Sequence, residues 1–383
     1  MLLTEQIFLS ILQKVLWGGS IVLPHNTDWL GVLNMAARHK CLHAFAIWTK
    51  THRIVTPYDQ QLQSNIFMTL QHQGRLNHLT CEVIDLLSQY QIPATLIKGY
   101  SLSGLYPDTD MRDFGDVDIY VGQKDYTRAA QIITDAYPNA HWHSDLQGGI
   151  HFILVLDEQM DRVIELHRVT MEFTDHQANE LFQRFTHKHL DNPTNSLNLY
   201  GKTISVPSSA YNALYLFMHA WHHFESSGIG LRQLGDWALS LHHAHQSSTT
   251  EEWDALLCDI DEILTALHLK TAWQTFGHIL VQYLNLSADD FPFYTYDYKK
   301  RAQRLLRQIL RDGHASRPCR FNILDITLMR CFPFQRPQSC RILQILYTTG
   351  RILFQTWQMC KLFPDYAWHE LKSKISSRFI SEP

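Results

Sequence analysis

Two aspartates are separated by one residue in a short segment that alternates polar and apolar side chains, Asp116-Val117-Asp118-Ile119. In an extended strand, residues two apart project from the same face, so the two carboxylates would lie side by side, with Val117, Ile119 and Val121 turned to a core. Neighbouring carboxylates repel each other unless a cation lies between them. The spacing therefore predicts a site for Mg²⁺ or Mn²⁺, because magnesium takes one or two carboxylates and completes its coordination with water and phosphate oxygens.

A glycine turn precedes this segment at Lys98-Gly99, directly after the apolar run 94–97. Glycine lets the backbone approach a phosphate closely, and the N–H groups of the following turn point toward the anion. The Ser101 hydroxyl is a further donor for the same phosphate. Lys98 and Arg112 are candidates for charge-assisted phosphate contacts. Alternatively, Lys98 could extend into solvent at the strand end and Arg112 could pair with a neighbouring aspartate.

A third acidic residue, Glu165, lies between the apolar residues of another predicted strand. Alternation places Glu165 and His167 on one face of that strand. If this strand neighbours the segment 116–121, Glu165 becomes a third carboxylate for the same metal site, with Asp161 and Glu172 as its rivals. A glycine turn for phosphates, two metal-binding aspartates and a third acid near an acceptor hydroxyl suit metal-assisted phosphoryl or nucleotidyl transfer.

The elements that must position these residues follow from the spacing of apolar side chains. The predicted strands cover 94–97, 116–121, 150–156, 162–169 and 197–206, with a hairpin turn at 157–161. The predicted helices cover 4–17, 27–48, 58–90, 126–137, 208–225, 230–246, 251–267, 269–284, 298–312 and 340–360. We therefore expect an α+β fold with a small mixed sheet. Its three parts would be an N-terminal helical region (1–90), an α/β core (91–206) and a C-terminal helical domain (207–383).

The composition is that of a folded chain: 383 residues, 45% hydrophobic, with a formal net charge of −4. The seven cysteines form no Cys-x-x-Cys pair, which favours reduced thiols in a cytoplasm over a disulfide framework or a zinc ribbon. No apolar run approaches the roughly 18 residues that a membrane span needs. The near-neutral charge gives no overall nucleic-acid signature. The basic segment 299–320 is more typical of a solvated amphipathic helix than of an RNA contact.

The order of these motifs resembles the DNA polymerase β-like nucleotidyltransferase superfamily and, within it, a bacterial group of uncharacterised nucleotidyltransferases. The resemblance extends over residues 95–240, approximately. It is carried by Ile97-Lys98-Gly99, Leu105-Tyr106-Pro107, Arg112, Gly115-Asp116-Val117-Asp118-Ile119, His151, Glu165-Leu166-His167, His219, His222, His223, Arg232 and Asp236.

The resemblance implies transfer of a nucleoside monophosphate from a nucleoside triphosphate to an acceptor hydroxyl, with pyrophosphate released and a small molecule as the expected acceptor. Asp116, Asp118 and Glu165 would be the catalytic residues and the ligands of Mg²⁺ or Mn²⁺, and Glu165 would help to deprotonate the acceptor. The nucleotide-binding residues would be Lys98, Gly99, Ser101 and Arg112, and the substrate-cleft candidates His167, His219, Arg232 and Asp236.

Two alternatives to this function remain open. Tyr100 follows Gly99 where the superfamily usually has Gly or Ser, which keeps open a non-catalytic nucleotide-binding protein with the same fold. A transferase that acts on protein or RNA through the basic segment 299–320 is the other alternative.

The later histidines and charges also have plainer interpretations. His219 and His223 have a helical spacing that can bind zinc. The helix lacks the glutamate of a metalloprotease, so we expect no zinc there. Arg232 and Asp236 are four residues apart on a predicted helix and could form an ion pair with each other instead of contacting substrate.

Overall fold

The computed structural model describes residues 1–142, 151–156, 162–191, 193–226, 228–313 and 359–370, and it shows helices around one mixed sheet. The helices are α1 (Leu3–Trp17), α2 (Trp29–Arg38), α3 (Leu42–Thr51), α4 (Asp59–Gln89), α5 (Gly122–Ala136), α6 (His176–Leu190), α7 (Ser209–Ser226), α8 (Leu231–Ser247), α9 (Thr250–Ala266), α10 (Lys270–Tyr283) and α11 (Lys299–Asp312). The strands are β1 (Thr95–Leu96), β2 (Val117–Tyr120), β3 (His141–Trp142), β4 (His151–Val155), β5 (Val163–His167), β6 (Asn195–Leu199) and β7 (Lys202–Val206). The expected α+β class is confirmed. Within the described ranges, no helix has the length and apolar character needed to cross a membrane.

Strand order places the two acidic strands next to each other. The order is β3-β4-β5-β2-β1-β7-β6 for the part of the chain that the structure describes. β2 and β5 run parallel, with Asp118 opposite Glu165, whereas β4 and β5 form the predicted antiparallel pair. β1 pairs antiparallel with β2. β2 therefore lies between the strand that leads to Lys98 and the strand that carries Glu165.

Packing on one face of β2 determines where its carboxylates emerge. Val117 and Ile119 are buried in a hydrophobic cluster with Val83 of α4 and Ile133 of α5. Complete burial of such an aliphatic side chain is worth about 1.5–3 kcal/mol. Because a slip of one residue would exchange the two faces of the strand, this packing holds Asp118 on the opposite face.

A second, larger cluster joins helices from both ends of the chain. Phe8 of α1 and Phe45 of α3 belong to it, together with Trp237 of α8 and Leu305 of α11. The Trp17 indole N–H also donates to a main-chain carbonyl beyond α10 at 2.6 Å. The N-terminal helices therefore share one hydrophobic core with the C-terminal helices.

The observed elements differ from the predicted ones in several places. The predicted strand 197–206 is an antiparallel hairpin of β6 and β7, because the chain turns at Tyr200 and Gly201, both with positive φ. β3 was not predicted, and α5 begins at Gly122, before the predicted helix 126–137.

The predicted helix 27–48 is two helices, because the chain turns at Lys40 with a φ of 59°, which a continuous helix cannot include. No element was predicted for α6, which begins where the Asp175 carboxylate accepts a hydrogen bond from an N–H of the first helical turn at 2.8 Å. The predicted turn 157–161 and almost all of the predicted helix 340–360 lie outside the described residues.

Candidate active site

The pairing of β2 with β5 brings an acidic pair and a histidine together. Asp118 is only 3% exposed, and its Oδ1 lies 2.9 Å from His167 Nε2. The same Nε2 lies 3.7 Å from Glu165 Oε2. One ligand atom from each of the three residues lies within 4.8 Å of the others. The expected neighbourhood of the two strands is thus confirmed, and His167 joins the carboxylates as a possible ligand.

Interactions within this group set the protonation of its members. Burial opposes ionisation of Glu165, but the hydrogen bond with His167 and the charge of Lys98 outweigh it and hold the Glu165 pKa below its usual range. Burial also opposes protonation of His167, but its hydrogen bonds with Asp118 and Glu165 raise its pKa. These interactions therefore favour the ionised form of Glu165 and the protonated form of His167.

The Lys98 ammonium lies among the carboxylates. Its Nζ is 2.6 Å from Asp118 Oδ1 and 3.7 Å from Glu165 Oε2. Burial would lower the Lys98 pKa, but the carboxylates, Asp118 foremost, hold it well above its usual value. Lys98 also has a φ of 52°, a left-handed conformation that costs a non-glycine residue of order 1–3 kcal/mol. Neither sequence-based interpretation, a phosphate contact or an ammonium in solvent, describes this ion pair.

Asp116 lies immediately before β2 and is the acid most affected by repulsion. Burial raises its pKa to about 7, and the charges of Asp118 and Glu165 act in the same direction. It is not a member of the convergent group of three ligand residues among the described parts of the chain. The repulsion between carboxylates that the Asp-x-Asp spacing predicts therefore contributes to the raised pKa of Asp116.

The glycine turn forms a 3₁₀ helix over Gly99–Leu105. Gly99 has a φ of +41°, and a Cβ there would lie 3.4 Å from a Phe114 side-chain atom. The Ser101 hydroxyl donates to the Lys98 carbonyl at 2.7 Å, which stabilises the turn. The Tyr100 ring packs beside Phe114, with ring centroids 5.8 Å apart, so its bulk contributes to the hydrophobic core.

Helix α7 brings two further side chains into the electrostatic environment of the acids. Burial raises the pKa of Tyr215, against the opposing effect of Lys98. Four residues later on the same helix face, burial and the positive charge of Lys98 hold the His219 pKa well below its usual value. His219 Nε2 lies 3.2 Å from His223 Nε2. His219 was predicted from the sequence as a residue of the substrate cleft, whereas Tyr215 was not, although their spacing of four residues identifies a shared face.

Arg112, a predicted nucleotide contact, lies in the interior. It is 6% exposed, and its Nε is 2.8 Å from Asp236 Oδ1, which also accepts a hydrogen bond from the Tyr106 hydroxyl at 2.7 Å. Arg232 pairs with Asp113 at 3.1 Å. Arg232 and Asp236 therefore do not pair with each other. Asp236 pairs with Arg112 and Arg232 pairs with Asp113, and both pairs join α8 to the segment before β2. These positions do not support a phosphate contact by Arg112 or a substrate contact by Asp236.

The donor set suits a hard divalent cation. Asp118 and Glu165 offer carboxylate oxygens, which Mg²⁺ and Mn²⁺ prefer, and the charges of both residues also act on Asp116. The Lys98 ammonium supplies positive charge at the same oxygens. A cation could therefore join these ligands once the ammonium moves away.

Comparison with known families assigns the chain. Residues 25–274 match the model of a family described as "Uncharacterised nucleotidyltransferase". The chain belongs to this family. The matched range includes every predicted site residue from Lys98 to Asp236 and ends before α11 begins.

Comparisons with individual proteins add little to the assignment. A search of curated proteins gives no match. Among solved structures, the chain is similar to an antigenic nucleotidyltransferase-like protein from Paracoccidioides brasiliensis, with 16% identity and a TM-score of 0.32. The similarity covers 56% of this chain and 93% of that one. A similarity at this TM-score does not support an assignment, so the assignment depends on the family match alone.

Proposed function

We propose that this chain transfers a nucleoside monophosphate from a nucleoside triphosphate to an acceptor hydroxyl, with release of pyrophosphate and a small molecule as acceptor. The observation that carries the proposal is the convergence of Asp118 and Glu165, with Asp116 adjacent, at the end of the Lys98-Gly99 turn. Family membership supports the reaction class. The motif order favours a bacterial member of the DNA polymerase β-like superfamily. The absence of a Cys-x-x-Cys pair favours the cytoplasm.

Asp116, Asp118 and Glu165 would hold Mg²⁺ or Mn²⁺. When bound, the cation stabilises the negative charge of the triphosphate. Binding requires the Lys98 ammonium to leave Asp118, and its flexible four-carbon stem allows it to contact the triphosphate instead. Lys98 would thus exchange a carboxylate partner for a phosphate partner during substrate binding.

The remaining residues have separate tasks in the proposed reaction. The N–H groups at the start of the Gly99–Leu105 helix would bind phosphate oxygens. The Ser101 hydroxyl would donate to the same phosphate after it releases its hydrogen bond to the Lys98 carbonyl. Glu165 would complete the metal site and help to deprotonate the acceptor hydroxyl. His219 would remain neutral at pH 7 and hydrogen-bond a substrate in the cleft. Arg112 would act indirectly by holding the segment before β2 against α8.

A non-catalytic nucleotide-binding protein is the second candidate, and the Lys98 ion pair favours it. The ammonium contacts Asp118 directly and lies near Glu165, so the acidic cluster is partly neutralised by the chain itself. The bulk of Tyr100 gives this candidate less support, because that ring packs against the core. Transfer to protein or RNA is a further alternative, since the acceptor is not identified by these residues.

Thermal unfolding with and without MgCl₂ and each of the four nucleoside triphosphates tests the binding step. A ligand at 100 times its Kd stabilises the folded state by about 2.7 kcal/mol. We expect this stabilisation in the wild-type protein and its loss in the Asp116→Asn/Asp118→Asn variant. Asp135→Asn/Asp254→Asn, which changes two exposed aspartates, is the matched control.

The outcomes of this experiment show whether and where the nucleotide binds. Stabilisation that requires magnesium and the two aspartates supports binding at the proposed site, and turnover with an acceptor then separates the enzyme from the non-catalytic binding protein. Stabilisation that is unchanged in the Asp116→Asn/Asp118→Asn variant supports nucleotide binding elsewhere. The absence of any shift at millimolar magnesium and triphosphate contradicts both nucleotide-binding candidates.

A further inference from the structure

Helix α11 presents a line of positive charge to solvent. Four exposed cationic side chains are spaced four, three and four residues apart, which places them on one face of the helix. They extend over about 16 Å, given a rise of 1.5 Å per residue. This basic stripe consists of Lys300, Arg304, Arg307 and Arg311.

The charges of the basic stripe are largely uncompensated by the protein. Arg311 pairs with Asp312, at 2.8 Å from its Nε. Across the ranges that the structure describes, no carboxylate lies within ion-pair distance of Lys300, Arg304 or Arg307. Like charges three and four residues apart on a helix repel each other. The stripe is therefore a source of repulsion that an external polyanion would relieve.

The opposite face of α11 fixes the helix in the hydrophobic core. Leu305, Leu306, Ile309 and Leu310 are each at most 2% exposed. An amphipathic helix binds a membrane surface by burying its apolar face in the lipid. Because that face of α11 is already buried in protein, the helix cannot insert in this way, and the cationic face alone is available to a partner.

An exposed aromatic side chain precedes the basic stripe in the chain. Tyr296 is 68% exposed and lies in the 3₁₀ turn that leads into α11, four residues before Lys300. Its ring contacts Tyr294, with centroids 5.2 Å apart. Surfaces that bind single-stranded nucleic acid combine cations along the backbone with aromatic rings on which unpaired bases stack. Tyr296 distinguishes this surface from a purely ionic one.

We propose that the basic stripe and Tyr296 bind single-stranded nucleic acid, RNA or DNA, through its phosphates and one stacked base. The proposal goes beyond the proposed nucleotidyl transfer and does not depend on it. The helix lies outside the residues that match the family, so family membership does not imply this surface. A duplex, whose bases are stacked internally, would lack the contact with Tyr296 and bind more weakly.

Fluorescence anisotropy with labelled 20-nucleotide oligo(U) and oligo(dT), without magnesium or triphosphate, tests the proposal. The stripe variant replaces all four cationic residues of the basic stripe with glutamine. The control variant replaces four exposed cationic residues elsewhere with glutamine, so that both variants have the same net charge. The control positions are Lys50, Arg53, Lys124 and Arg128.

The expected result is a loss of affinity that depends on position as well as on charge. The stripe variant should bind at least about 10-fold more weakly than the wild type. The slope of log Kd against log salt concentration should decrease by about 0.7 for each phosphate contact that is lost. The control variant should remain within about threefold. Tyr296→Ala should weaken binding with an unchanged salt slope, because stacking releases no counterions.

Three outcomes would overturn the proposal. One is no wild-type binding at micromolar protein in 50 mM salt. Another is an equal loss in the stripe and control variants, which would show that net charge alone is responsible. The third is stripe-dependent binding to phosphatidylserine vesicles or to a polyglutamate peptide without nucleic-acid binding. The Asp116→Asn/Asp118→Asn variant should bind the oligonucleotides like the wild type, so failure of the proposed transferase and failure of this surface are distinguishable. Circular dichroism melting confirms that each variant is folded.

Discussion

Replacing Asp236 with asparagine should destabilise the protein strongly, because it leaves a buried cation without an ionised partner. Arg112 is 6% exposed and Asp236 is 3% exposed, with 2.8 Å between Arg112 Nε and Asp236 Oδ1. Breaking a buried ion pair by removing one partner typically costs about 3–5 kcal/mol. That is a large share of a total stability of about 5–15 kcal/mol. For 383 residues, an unfolding entropy of about 2.1 cal/mol/K per residue gives a fall in Tm of about 4–6 °C.

A double-mutant cycle shows whether the cost arises from the orphaned charge. Arg112→Gln and Asp236→Asn should each be costly in denaturant titrations, whereas Arg112→Gln/Asp236→Asn leaves no buried charge. We expect the double variant to cost at least about 2 kcal/mol less than the sum of the single variants. The half-buried pair of Arg232 with Asp113 joins the same two elements. It is the matched control, and its neutral double variant should cost at most about 1 kcal/mol.

Two results would refute this reasoning. One is a cost of less than about 1 kcal/mol for Asp236→Asn, which would mean that water or another group stabilises the Arg112 guanidinium. The other is additivity of the two single variants, which would show that the residues do not act as a pair. Either result would reopen the prediction that Arg112 contacts the nucleotide.

Three further predictions concern single residues. Burial and the nearby Lys188 lower the His189 pKa to about 4. Because the pKa in the unfolded chain is about 6.5, neutral His189 stabilises the fold above that pH, and this stabilisation is lost as the pH falls to 4. His189→Gln should therefore make the free energy of unfolding fall less between pH 6.5 and pH 4, whereas His187→Gln, at an exposed position, should leave that fall unchanged. Lys98→Met should raise the affinity of the nucleotide-free protein for Mn²⁺ by about 10-fold or more in calorimetry, because it removes a competing cation. Unchanged or weaker Mn²⁺ binding would contradict the proposal that Lys98 leaves Asp118 when the metal binds. Glu165→Gln should largely retain triphosphate binding while turnover falls by orders of magnitude. Wild-type turnover in Glu165→Gln, or an equal loss of turnover in Glu172→Gln, would refute a catalytic role for Glu165.

The acidic strands were predictable because local periodicity determines them. Alternation in 116–121 and 162–169 indicated which side chains share a face, and the short polar turn between 150–156 and 162–169 indicated a hairpin. That β2 and β5 are neighbours was only a condition of the prediction, and their parallel direction and the register that places Asp118 opposite Glu165 were not predicted. The pattern of apolar residues therefore indicated which face of each strand carries the carboxylates, but not how the two strands pair.

The partners of the cationic residues were not predictable from local patterns. Arg112 and Asp236 are 124 positions apart in the sequence, and nothing in the helical spacing of Arg232 and Asp236 shows that each turns to the segment before β2. The position of the Lys98 ammonium depends on an unusual backbone conformation at the end of β1. Such contacts are determined by the packing of α8 and the strands, which periodicity does not describe.

Transfer of label from nucleoside triphosphates tests the central claim most directly. Each triphosphate would be labelled either at the α-phosphorus or at the γ-phosphorus and incubated with magnesium, the protein and separate pools of small metabolites, RNA and proteins. We predict that the α label joins an acceptor while the γ label appears in pyrophosphate, and that Asp118→Asn abolishes both. Transfer of the γ label to an acceptor, or α-label transfer that persists in Asp118→Asn, would contradict it.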